Sequence, residues 1–139
     1  GGYPAPEAVP AVTASAEVLY VATTAAGEPL ERLALPGLSY RGRGTVEVSA
    51  DGVQLRVTGE QPVFIPAGAL TGIGASTVAI DRVVERDGLV RLGWTTSGGA
   101  AADSYFRVVD PVGRGRLTSA VEDIIPADST PGDSTEREV

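Results

Sequence analysis

Thr45-Val46-Glu47-Val48-Ser49, Ala50-Asp51-Gly52 and Val53-Gln54-Leu55-Arg56-Val57, read in succession, decide the fold. On both sides of the turn, apolar and polar residues alternate with the period of two at which a strand shows its two faces. Val46, Val48, Val53, Leu55 and Val57 share one face, while Glu47, Gln54 and Arg56 share the other. Asp51-Gly52 reads as the turn, because Asp-Gly supplies the positive φ angles that a tight hairpin needs. The expectation is an antiparallel hairpin with its valine face turned to a core.

The same signals continue outward in both directions. Upstream, residues 17–24 (EVLYVATT) read as a first strand ending at Ala25-Ala26-Gly27-Glu28-Pro29, and residues 30–35 as a second, stopped by Pro36-Gly37. Residues 38–41 resume an extended path. Downstream, residues 61–65 form a short strand closed by Pro66, and residues 70–80 an irregular strand or crossing loop. Residues 82–85 lead into a second hairpin turn at Arg86-Asp87-Gly88. Residues 89–96 follow, with Val90, Leu92 and Trp94 in phase, and residues 104–109 make the last strand. One helix is expected over residues 116–125, where Leu117, Val121 and Ile124 recur at helical spacing and Pro126 ends the run. About seven strands with turns every 8–12 residues, followed by one amphipathic helix, outline a mainly β, pleckstrin-homology-like sandwich or barrel capped at one end.

Composition bounds the function. The 139 residues contain no Cys, Met, His or Lys, and all eleven cations are Arg. Imidazole bases, thiol nucleophiles, Schiff-base amines and soft metal ligands are therefore missing. No cofactor or metal site is expected, and no disulfide framework exists. A chain without Met at its start is expected to be a piece of something longer. The net charge of −7 is uneven: residues 122–139 carry six acids against Arg137, or −5, which leaves −2 for residues 1–121. A nearly neutral body lacks the basic surface that phosphate backbones require, so nucleic acid is not an expected partner. No apolar run approaches the roughly 20 residues that span a bilayer. Pro4, Pro6 and Pro10 make residues 1–15 read as a linker, and residues 126–139 as a disordered acidic tail, with the folded domain at 16–125.

An ordered series of phrases carries a family likeness. Leu19-Tyr20-Val21-Ala22-Thr23-Thr24, Leu30-Glu31-Arg32-Leu33, Pro36-Gly37-Leu38, Val63-Phe64-Ile65-Pro66-Ala67, Gly88-Leu89-Val90 with Trp94, and Tyr105-Phe106-Arg107 appear in that order. The series resembles the PH-like domain of small actinobacterial membrane proteins, over about residues 18–110. The resemblance implies a single N-terminal transmembrane anchor preceding this sequence, with the domain on the cytoplasmic side of the cell membrane. It carries no catalytic residues over. At Ile80-Asp81-Arg82-Val83 the chain departs from the family pattern, which has Gly-Lys before the valines.

Tyr40, Arg41 and Arg43, in Ser39-Tyr40-Arg41-Gly42-Arg43-Gly44, form the densest basic-aromatic cluster. Two guanidiniums there could grip an anion or a partner; solvation of an exposed strand connection is the plainer and preferred reading. Arg114 and Arg116 repeat the pattern just ahead of the expected helix, and a flexible linker is again preferred. Phosphoinositide binding is not expected, since residues 24–29, taken as the first inter-strand loop, hold no cation. Asp81, Glu85 and Asp87 could pair as acid and base, but they sit beside Arg82 and Arg86 at a turn, where solvated ion pairs are ordinary. Trp94 is expected in the core. The leading expectation is a non-catalytic, membrane-tethered interaction module that takes a protein or peptide partner by strand addition beside the helix. The alternatives are a small-molecule-binding barrel and, behind it, a hydrolase working through carboxylates alone.

Overall fold

The valine face of the hairpin is buried as its alternation demands. In the structure, a computed structural model that describes residue 3, residues 11–76 and residues 89–126, Val46, Val48, Val53, Leu55 and Val57 are each at most 3% exposed. Val48 pairs with Val53 and Val46 with Leu55, while Glu47 faces Gln54 and Thr45 faces Arg56 on the solvent side. Fully burying each such aliphatic side chain contributes on the order of 1.5–3 kcal/mol. The turn differs in detail from the expectation. It is made over Ala50 and Asp51, and no residue other than glycine has a positive φ among the described residues. Gly52, at φ 153°, is required by proximity: a Cβ there would meet the Ile65 carbonyl oxygen at 2.1 Å.

Among the described residues, eight strands and one helix follow in order: β1 (Val12–Ala25), β2 (Glu28–Arg32), β3 (Gly42–Ser49), β4 (Gly52–Val57), β5 (Val63–Pro66), β6 (Leu70–Ala75), β7 (Leu89–Thr95), β8 (Ala101–Val108) and α1 (Pro111–Ile124). All strand pairs are antiparallel. The sheet runs β5-β4-β3-β1-β8-β7-β6, with β2 an appendage on β1. No pairing between β5 and β6 closes it among the described residues; a 3₁₀ turn at Ala67–Ala69 joins them instead. The described residues form a mainly β, PH-like sandwich followed by one C-terminal helix.

β1 holds the two halves together because it is long enough to serve both. Its first half pairs with β3, from Val12 opposite Ser49 to Tyr20 opposite Gly42, and its second half pairs with β8. A register shift between Tyr20 and Ala22 leaves Val21 as the extra residue. Such a bulge switches which residues face inward. Before it Val18 and Tyr20 point into the core; after it Thr23 does, opposite Ser104. The core joins these residues to Leu38, Ile65, Leu70, Val90, Leu92, Trp94, Phe106, and Leu117 and Val121 of α1.

Several boundaries differ from those the sequence pattern suggests. β1 starts at Val12, so residues 12–15, assigned to a linker from their proximity to prolines, are paired in the sheet. Tyr3 bridges antiparallel to Phe64, and its hydroxyl donates to the Thr95 carbonyl at 3.1 Å. β2 is shorter and earlier than residues 30–35; Pro36-Gly37 turns where a stop was expected, and Ser39 and Tyr40 bend within the path expected to be extended over residues 38–41. The helix begins five residues before 116. Asp110 caps it by accepting from the Val112 N–H at 3.1 Å, and Pro111 occupies its first turn. Arg114 and Arg116 therefore lie inside α1, not in a linker ahead of it. The expected hairpin at Arg86-Asp87-Gly88 and the carboxylates Asp81, Glu85 and Asp87 lie outside the described residues.

Candidate functional site

Tyr40, Arg41 and Arg43 sit where β3 begins. Tyr40 is 69% exposed, and Arg41 and Arg43 are exposed as well. Arg43 reaches Glu17 on β1 at 3.5 Å, a contact between side chains that are 74% and 59% exposed. Solvent screening leaves such a pair little net worth. The neighbouring glycine answers to packing, since a Cβ on Gly44 would meet the Arg56 carbonyl oxygen at 2.3 Å. The Arg-Gly-Arg-Gly spacing is thus explained in part by a close approach of β4.

Inside the sandwich a chain of hydroxyls crosses from one half to the other. The Tyr20 hydroxyl donates its one proton to the Leu38 carbonyl at 2.8 Å. Thr23 Oγ1, 2.6 Å away, must then donate to the Tyr20 oxygen, and Ser104 Oγ must donate to Thr23 at 2.7 Å. The Trp94 indole N–H completes the run by donating to Ser104 Oγ at 3.0 Å. Every proton has one direction, and no buried side-chain nitrogen or oxygen is left unpartnered among the described residues. Burial, opposed more weakly by the Thr23 hydrogen bond and the Arg32 charge, pushes the Tyr20 hydroxyl up to about 12. A network satisfied in this way fixes geometry and offers no reactive group. Trp94 is fully buried, as the phase of β7 requires.

The outer face of β7 and β8 carries a second set of polar groups. Asp103 is nearly buried, with its Oδ1 3.0 Å from Arg91 and its Oδ2 accepting from the Gly27 N–H at 3.3 Å. Tyr105 lies on the same face, and burial first, then the Asp103 charge, raises its hydroxyl above the usual range. Asp103 is therefore spent as an anchor that ties the turn after β1 to the β7–β8 pair. Among the described residues no group of three or more His, Cys, Asp or Glu could hold a metal ion.

The feature with capacity to bind is an open strand edge. One edge of β6 is paired to β7, with Gly74 opposite Arg91 and the Ser76 N–H donating to the Leu89 carbonyl at 2.9 Å. Alternation along the strand then turns the main-chain groups of Ile73 and Ala75 the other way. Among the described residues no strand pairs with that second edge. Gly72 and Gly74 leave the sheet face over this strand clear, with nothing within 4 Å of where a Cβ would stand. α1 packs against β6, so the edge lies beside the helix. The glycines are legible in the sequence, but which edge they flank depends on the strand order. No local pattern encodes that order.

With the strand order and the β6 edge described, comparison with known proteins adds one finding. A family model described as "Bacterial PH domain-like" matches residues 3–122. No curated protein matches the chain.

Proposed function

The chain belongs to the bacterial PH domain-like family, and from that premise we propose that it binds an extended segment of a protein partner as an added strand on the open edge of β6. Membership supports a non-enzymatic interaction module, and the edge supplies the means. Main-chain groups of Ile73 and Ala75 give the hydrogen bonds, while alternate side chains of the added strand would rest against α1. Glycines in a strand suit a position where another backbone must come close. The observation that carries the reading is this unpaired, glycine-flanked edge beside α1. The small-molecule reading needs interior space that Trp94, Tyr20 and Phe106 fill, each at most 1% exposed.

Attachment to a membrane is the second part of the proposal and rests on the family likeness. Among the described residues no helix is long and apolar enough to cross a bilayer, so the anchor would lie outside them. Partition of the native gene product into the membrane fraction, resistant to high salt and released by detergent, is the expected result.

Selection of displayed heptapeptides against the domain, followed by calorimetry of the survivors, tests the strand edge. Ala75→Pro removes an outward N–H and spares the bonds to β7, so it should weaken a selected peptide about tenfold or more. Arg43→Ala, on a distant face, should leave the affinity unchanged. Binding that ignores Ala75→Pro would overturn the assignment of the edge.

A further inference from the structure

β1 outruns β8, and the difference opens a groove on the other flank of α1. The Val109 N–H donates to the Glu17 carbonyl at 3.0 Å, just past the end of β8 at Val108. Alternation puts the main-chain groups of Ser15 on that same side, and among the described residues no strand continues the pairing there. α1 runs alongside instead. The space between them, about 810 Å³, has Ala14 and Ser15 on its sheet wall and Arg116, Ser119, Ala120 and Asp123 on its helix wall.

The helix wall is self-complementary. Arg116 and Asp123 are seven residues apart, which places them within about 20° of each other around the axis and about 10.5 Å apart along it. Ser119 and Ala120 lie between, so the point midway between them is also midway between the two charges. A second α1 laid antiparallel, with a twofold axis through that point, sets its Asp123 against Arg116 and its Arg116 against Asp123. Identical patches that satisfy each other across a twofold are what an isologous interface requires. Small side chains at the crossing point let the helices approach closely. Arg116 and Asp123 take part in neither the Arg43–Glu17 nor the Arg91–Asp103 pair. A foreign peptide would need two opposite charges at the matching spacing, whereas a second copy brings them already placed.

We propose that this groove is a homodimer interface whose occupant is α1 of a second copy. It lies on a different surface from the β6 edge, so either assignment can fail without the other.

Sedimentation of the full 139-residue chain over a range of concentrations tests it. The expected result is a monomer–dimer equilibrium that weakens as salt rises. Arg116→Asp and Asp123→Arg, each alone, set like charges face to face and should raise the dissociation constant about tenfold or more. The combined variant R116D/D123R restores both contacts with reversed polarity and should return to within about threefold of the original. Circular dichroism should find all three variants folded, since both positions are exposed on α1. A chain that stays monomeric up to about 1 mM would overturn the proposal, leaving the groove to the chain's own tail or a foreign peptide. A dimer indifferent to the single reversals, or a double reversal no better than the singles, would overturn it equally.

Discussion

Replacing Tyr20 with Phe deletes one oxygen and strands two partners where water does not reach. The Leu38 carbonyl loses its donor and Thr23 loses its acceptor, so the cost should be about 1–3 kcal/mol at neutral pH, measured by urea denaturation. The pH dependence gives a second readout with a definite sign. A tyrosine whose folded-state pKa is raised from its ordinary 10.0 to about 12 holds its proton more tightly folded than unfolded. Its contribution is complete below about pH 10, declines as pH rises from there, and is lost by about pH 12. Tyr20→Phe should flatten that alkaline decline; an unchanged slope would assign it to another group. Tyr3 makes a similar case at the periphery. It donates its N–H to the Phe64 carbonyl at 3.0 Å and its hydroxyl to Thr95. Tyr3→Ala should therefore cost about 1 kcal/mol, where a linker residue would cost nothing measurable.

The β3–β4 hairpin gives the test at the level of an element. Val48→Asp and Leu55→Asp each drive a carboxylate into a site that is at most 1% exposed, and should unfold or severely weaken the domain. Glu47→Gln and Gln54→Glu, paired with each other on the solvent side, should be nearly silent in the same thermal melts. Similar behaviour of the two sets would mean that the register is wrong. The hairpin was legible because one face is buried and one is wet, so alternation records its orientation. The strand containing Trp94 was legible from the beat of Val90, Leu92 and Trp94 alone, since Leu89 and Gly93 on its other face are buried as well. The body of β1 was legible as residues 17–24, but its start was not, because Val12 to Ala16 are mostly small and pair along their backbones, leaving no hydrophobic beat to read. The start of α1 carried a clear signal in Asp110-Pro111, but Gly113 and Gly115 made the first turns look like loop. Of the candidate site, the glycines of β6 were visible in the sequence. The open edge they flank was not, because an edge is a property of strand order and no single segment contains it.

Taken whole, the molecule argues against an inositol-phosphate surface even after its first connection is redrawn. β2 is an appendage, so the link between β1 and β3 along the sheet is residues 26–41, longer than the residues 24–29 marked by the turn signals alone. That longer link does contain Arg32 and Arg41, but Glu28 and Glu31 cancel them. With no lysine and a body of net charge −2 over residues 1–121, the chain is expected to lack the concentrated positive potential that would draw anionic headgroups from solution. The full chain should accordingly fail to sediment with vesicles containing phosphatidylinositol bisphosphate. It should fail even near 0.01 M salt, where the screening length is about 30 Å and weak attraction is least damped. Arg41→Ala combined with Arg43→Ala should then change nothing. Vesicle binding that fades with salt and disappears in that double variant would reverse the conclusion. The exposed start of β3 would become an anion site, and attachment to lipid would belong to the domain itself.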